Sequence, residues 1–151
     1  MSERAPAPTR GDYAVWRRAT TRLADDDAYG HMNNATYYEL FDIAVNAHLF
    51  EATGVNVRDL PAIGVVAETS CRYFREIGFP EPVDMGLAVE RVGTSSVIYR
   101  ICLFQGDSDQ AAAEGRFVHV YVDNANGPGD RPVRPLPEEI RTVVAALAPA
   151  D

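Results

Sequence analysis

Apolar and polar positions along the chain fall into successive regimes of spacing, and each predicts an element. Between Tyr13 and Leu23, aromatic, Val and Thr residues gather without clean alternation, which predicts a first strand. After a polar stretch the period becomes helical: Tyr37, Leu40, Phe41, Ala44, Val45 and His48 form one broad apolar stripe. Thr36 and Glu39 read as a capping box at the start of this helix, and Gly54 reads as its stop. The period then falls to two. Gly64–Phe74, Val83–Val92, Val97–Phe104 and Ala111–Val122 read as four strands joined by turns at 93–96 and 105–110. In the second of these, Val83, Met85, Leu87 and Val89 share one face. The other face carries Gly86 and Ala88, where something can pack closely. In the last, Phe117, His119 and Tyr121 oppose Val118, Val120 and Val122. A proline-rich stretch follows, and Pro135–Glu139 opens a terminal helix with Ile140, Val143, Val144 and Leu147 on one face.

This order, strand, long helix, antiparallel strands, short helix, predicts an α+β domain in which a bent antiparallel sheet wraps one long helix. The domain is expected over residues 13–123. Residues 1–12 are expected as a flexible arm, and 124–151 as a tail and terminal helix packed on the same domain.

Composition narrows the chemistry. A 46% hydrophobic and 24% charged chain of 151 residues can bury a core and is not disordered by composition. No apolar run is long enough to span a membrane, and the N-terminus lacks an apolar signal region, so a cytoplasmic protein without membrane partners is expected. The net charge of −8 disfavours nucleic-acid partners. All 14 basic residues are arginine, which excludes Schiff-base lysines, Walker-type loops and Ser-Lys dyads. Cys71 and Cys102 read as buried thiols. His31, His48 and His119 match no metal spacing, so neither a metal nor a cofactor is expected, and His48 and His119 read as ordinary half-buried residues.

Asp25–Asn34, DDDAYGHMNN, is the stretch that carries chemistry. Three adjacent carboxylates ordinarily mark a solvated turn before a helix. Here Gly30 permits an unusual backbone, and His31, Asn33 and Asn34 are side chains that pin a loop. The first turn of the following helix offers free N–H groups suited to a developing oxyanion.

Asp27 through Asn34 resembles the D-x-x-G-H-x-N-N signature of hotdog-fold thioesterases of the 4-hydroxybenzoyl-CoA thioesterase type. Ala35–Glu39 looks like that family's helix entrance. Glu68–Asp84 and Val92–Ser96 look like its strand–proline turn–strand and its later turn. The resemblance implies a hotdog fold, hydrolysis of an acyl-CoA thioester, and Asp27 as the carboxylate that attacks the carbonyl or activates water. It implies a homodimer, alone or paired into a tetramer, with the site at the subunit boundary. The coenzyme A thioester is then the substrate.

Tyr29, Gly30, His31, Asn33 and Asn34 are assigned to loop and oxyanion support. Glu39 is the rival carboxylate, since another branch of hotdog thioesterases carries its carboxylate on the helix. Arg72 and Arg75 are the arginines to test against coenzyme A phosphates. The alternatives are an acyl-carrier-protein thioesterase and a non-catalytic acyl-CoA-binding hotdog protein. The first is weakened by Tyr29, where the carrier-protein enzymes have Asn, and by an acidic surface that repels an acidic carrier.

Overall fold

In the computed structural model, which describes residues 5–125 and 129–149, the five strands are β1 (Val15–Ala19), β2 (Ala62–Tyr73), β3 (Val83–Val92), β4 (Ser96–Gln105) and β5 (Ala113–Asp123). They pair antiparallel in the order β1-β3-β4-β5-β2, which leaves β1 and β2 as edges. The long helix α1 (Asn34–Thr53) and the short helix α2 (Glu138–Ala145) complete the fold.

Helix α1 buries Tyr37, Leu40, Phe41, Ala44, Val45 and Leu49. The stripe is the expected one, except that Leu49 replaces half-buried His48 at its far end. These side chains join Met85, Leu87, Val89, Tyr99, Ile101 and Phe117 of the sheet in one core, which Ile140 and Val144 of α2 also enter. The helix lies close to the sheet at Gly115, where a β-carbon would come within 2.5 Å of the Phe41 ring. The opposite sheet face holds an ion-pair network. Arg72 and Arg100 meet Glu114, and Arg100 and Arg116 meet Glu90.

The structure departs from the sequence expectation in three places. The first strand is shorter, because the chain turns at Leu23–Asp25, where the Asp25 carboxylate accepts the Arg22 N–H at 2.8 Å. The helix starts before Thr36: Asn33 is the cap, its side chain accepting the Ala35 N–H at 2.9 Å, and Thr36 lies in the first turn. The capping box of Thr36 and Glu39 is therefore not formed. Finally, residues 5–12 of the expected arm are tied to the sheet. Pro8 accepts from the Ala111 N–H, Arg10 pairs with Asp84 at 3.0 Å, and Tyr13 packs over Gly86, on the face where the small residues left room. Residues 1–4, 126–128 and 150–151 of the expected arm and tail lie outside the described residues.

Candidate active site

The three aspartates before α1 are adjacent in sequence, yet each is held differently. Asp25 is buried. Burial works against its ionisation, but hydrogen bonds from the Arg22 side chain and backbone outweigh it and hold the carboxyl below its ordinary value. Asp26 reaches the β2–β3 connection, accepting the Phe79 N–H at 3.2 Å. Among the described residues, Asp27 bonds only within its own loop: Oδ1 accepts the Tyr29 N–H at 2.8 Å and the His31 N–H at 3.5 Å. Its Oδ2 has no hydrogen-bond partner among the described residues, and the side chain is partly exposed.

The loop closes on itself through the Asp27 N–H to the His31 carbonyl at 2.8 Å and the Gly30 N–H to the Asp27 carbonyl at 3.1 Å. Gly30 sits at φ 83°, a conformation that other residues adopt at a cost. The loop is also fastened from outside. Met32 donates to the Ile77 carbonyl at 2.8 Å, and His31 Nε2 lies 2.9 Å from Glu76 Oε2. The fastening segment is itself held by Gln105, whose side-chain amide donates to the Gly78 and Glu81 carbonyls at 2.8 and 2.9 Å. Sequence reasoning passed over Gln105. A buried amide at the end of a strand shows its role only once its partners are known.

The loop delivers the chain to the start of α1, where the first amides can be counted. The Asn33 N–H goes to the Asp25 carbonyl, the Ala35 N–H to the Asn33 side chain, and the Thr36 N–H to the Asn33 carbonyl. The Asn34 N–H alone of these makes no hydrogen bond among the described residues. The Asn34 side chain accepts from the Tyr73 hydroxyl, which moors the helix start to the end of β2.

Asp27, Gly30, His31, Asn33 and Asn34 are thus brought together at the helix entrance. Tyr29 contributes its N–H, but its side chain points away, 85% exposed. Arg75, exposed at the end of β2, donates to the Gln105 carbonyl at 3.1 Å, whereas Arg72 lies on the outer sheet face, 2.7 Å from Glu114. Glu39 stands apart on the rim of a cavity of about 610 Å³. This cavity opens between the exposed side of α1, at Asp42, Ile43 and Asn46, and the strands, at Ile63, Gly64, His119 and Tyr121. No residue of 27–34 lines it. His119, read from sequence as half-buried, is only 2% exposed. Its place on the Phe117–Tyr121 face was the signal that an imidazole faces the core. Among the described residues, no group of three or more His, Cys, Asp or Glu could hold a metal ion, and no helix is long and apolar enough to cross a membrane.

A five-stranded antiparallel sheet around one long helix, with a carboxylate loop leading to an open amide at the helix start, is a hotdog fold. The chain belongs to the thioesterase-like superfamily, whose model matches residues 21–145. The crystal structure of the PA5185 protein from Pseudomonas aeruginosa strain PAO1 is similar at 42% identity and a TM-score of 0.87, covering 95% of this chain and 97% of that one. YsmA of Bacillus subtilis is 26% identical over 115 residues, 76% of this chain and 77% of its own. Slr0204 of Synechocystis, a 1,4-dihydroxy-2-naphthoyl-CoA thioesterase, shares the fold with a TM-score of 0.76 at 15% identity, over 87% and 96% of the two chains.

Proposed function

We propose that this chain is an acyl-CoA thioesterase of the 4-hydroxybenzoyl-CoA thioesterase type, hydrolysing a thioester to free acid and coenzyme A with Asp27 as its carboxylate. Superfamily membership supports thioester hydrolysis. The observation that carries the finer reading is the pairing of two unused groups on one short stretch. Asp27 Oδ2 lacks a partner among the described residues, and so does the Asn34 N–H.

The chemistry follows from those two groups. The thioester carbonyl oxygen accepts from the Asn34 N–H, where the positive end of the α1 dipole also favours negative charge. Asp27 Oδ2 then either attacks the carbonyl carbon, giving an anhydride that water cleaves, or takes a proton from a water that attacks. Either route expels coenzyme A thiolate, which is protonated as it leaves. Asp25 and Asp26 serve by holding the loop rather than by reacting. Arg75 suits the coenzyme A phosphates better than Arg72, because it is exposed next to the loop's fastening segment, while Arg72 would have to leave Glu114.

A homodimer completes this reading. The cavity and the Asp27 loop occupy different parts of one copy, and residues 65–70 of the edge strand β2 are exposed. Unpaired edges are templates for pairing with a second chain, so joined β2 edges would place the site at the boundary between copies. A panel of short, long and aromatic acyl-CoAs with thiol detection tests the proposal. Turnover of at least one supports it. Tight binding of acyl-CoA with no thiol release across the panel would make the chain a binding module. Cleavage of acyl-carrier substrates alone would make it a carrier-protein thioesterase.

A further inference from the structure

We propose that His119 is a specificity-determining residue: it forms the polar floor of the cavity between α1 and β5 and donates a hydrogen bond to an oxygen, hydroxyl or keto, carried on the acyl group. The inference rests on the thioesterase reading for the identity of the ligand as an acyl group, but the site itself is argued from the cavity.

The cavity, about 610 Å³, lies within the size range of small-molecule sites and is walled by Leu49, Leu60, Ile63 and Ile140. His119 lines it at 2% exposure, and neither ring nitrogen makes a hydrogen bond among the described residues. A buried polar group without a partner is uncommon, and a phenylalanine would fill the same place at less cost. The ring is nevertheless held firmly. Phe117, Tyr99 and Tyr121 stand edge-on to it at centroid distances of 4.9, 5.9 and 6.1 Å. Gly64 lies so close that a β-carbon there would sit 2.9 Å from Nδ1 and 3.2 Å from Cζ of Tyr121.

That packing decides which edge of the ring is available. Burial holds the imidazole's pKa down at about 4, so at neutral pH the ring has one N–H and one bare nitrogen. Nδ1 is sealed from solvent beneath Gly64. A proton there would bury an N–H with no acceptor. A bare nitrogen in that place costs less than an unpaired N–H. The proton therefore sits on Nε2, and the ring offers the cavity a donor. A ligand oxygen satisfies that donor, and a plain alkyl chain leaves it unpaired. One neutral hydrogen bond of this kind discriminates on the order of 10- to 100-fold.

The test compares a medium-chain acyl-CoA with its hydroxy and oxo counterparts, placed at successive positions along the chain, in wild type and His119→Phe. The matching free acids are titrated by calorimetry alongside. The expected result is a roughly 10- to 100-fold preference of the wild type, in kcat/KM and in acid binding, for at least one oxygenated member, reduced to about one-fold in His119→Phe. Equal treatment of all members by the wild type overturns the proposal without any variant. So does a preference that survives in folded His119→Phe. Selective binding of an oxygenated acid that depends on His119, with no thioester cleaved, would support the subsite and sink the thioesterase reading.

Discussion

Asp25, Asp26 and Asp27 show how far neighbouring identical residues can diverge once the chain folds. Arg22 claims both oxygens of the first, the Phe79 N–H ties one oxygen of the second to the β2–β3 connection, and the third, among the described residues, bonds only within its own loop. The choice of Asp27 rested on the register of Gly30 and His31. The division of labour was not legible, because the partners at 77–79 and 105 are remote in sequence. The open amide of Asn34 was equally hidden, since it depends on Asn33 rather than Thr36 being the cap. His119 makes a pH prediction at this scale. Its folded pKa is depressed from 6.5 to about 4 by burial. Above 6.5 both folded and unfolded rings are neutral. As pH falls toward 4 the unfolded ring takes a proton that the folded one does not, so stability is lost. Between pH 7 and 5 the wild type should lose about 2 kcal/mol more stability than His119→Gln in urea titrations. The groups facing the ring, Tyr99 and Tyr121, stay protonated there, and Glu39 and Asp42 on the cavity rim are common to both proteins.

Among the elements, α1 was the most legible, and the reason is burial. A stripe of five residues from Tyr37 to Val45 can only be placed against a sheet, and it is. The ends of elements were less legible, because caps and turns compete locally: Asn33 outbid Thr36, and Asp25 ended the approach to the helix early. The arm illustrates the same limit. Its residues carry no strand period, yet Pro8 and Arg10 are anchored by the remote Ala111 N–H and Ser108 carbonyl. The seating of α1 on β5 yields a prediction. Gly115→Ala forces a methyl against Phe41, where 2.5 Å is available. Such overpacking should cost about 1–3 kcal/mol in chemical denaturation. An unchanged midpoint would mean that the helix is not seated as closely as described.

For the whole molecule, the alternating strands announced an α+β fold, and the sheet order β1-β3-β4-β5-β2 gives that fold its open edges. Which edge would pair in the proposed homodimer is not a matter of periodicity, since β2 keeps an ordinary apolar run while Val65 and Val66 lie 39% and 46% exposed. Placing lysines at both positions should block edge pairing. The expected outcome in ultracentrifugation is a folded monomer with no thioesterase activity. An intact, active dimer would locate the interface elsewhere.

The assignment of Asp27 is the claim on which the rest depends. Thiol release from the best acyl-CoA of the panel, measured for wild type and Asp27→Asn with the same far-UV circular dichroism, tests it most directly. Loss of at least about 100-fold in kcat is predicted, the scale of general acid–base catalysis by one positioned side chain. Undiminished turnover by folded Asp27→Asn would contradict the account, and Glu39 would then be the carboxylate to remove next.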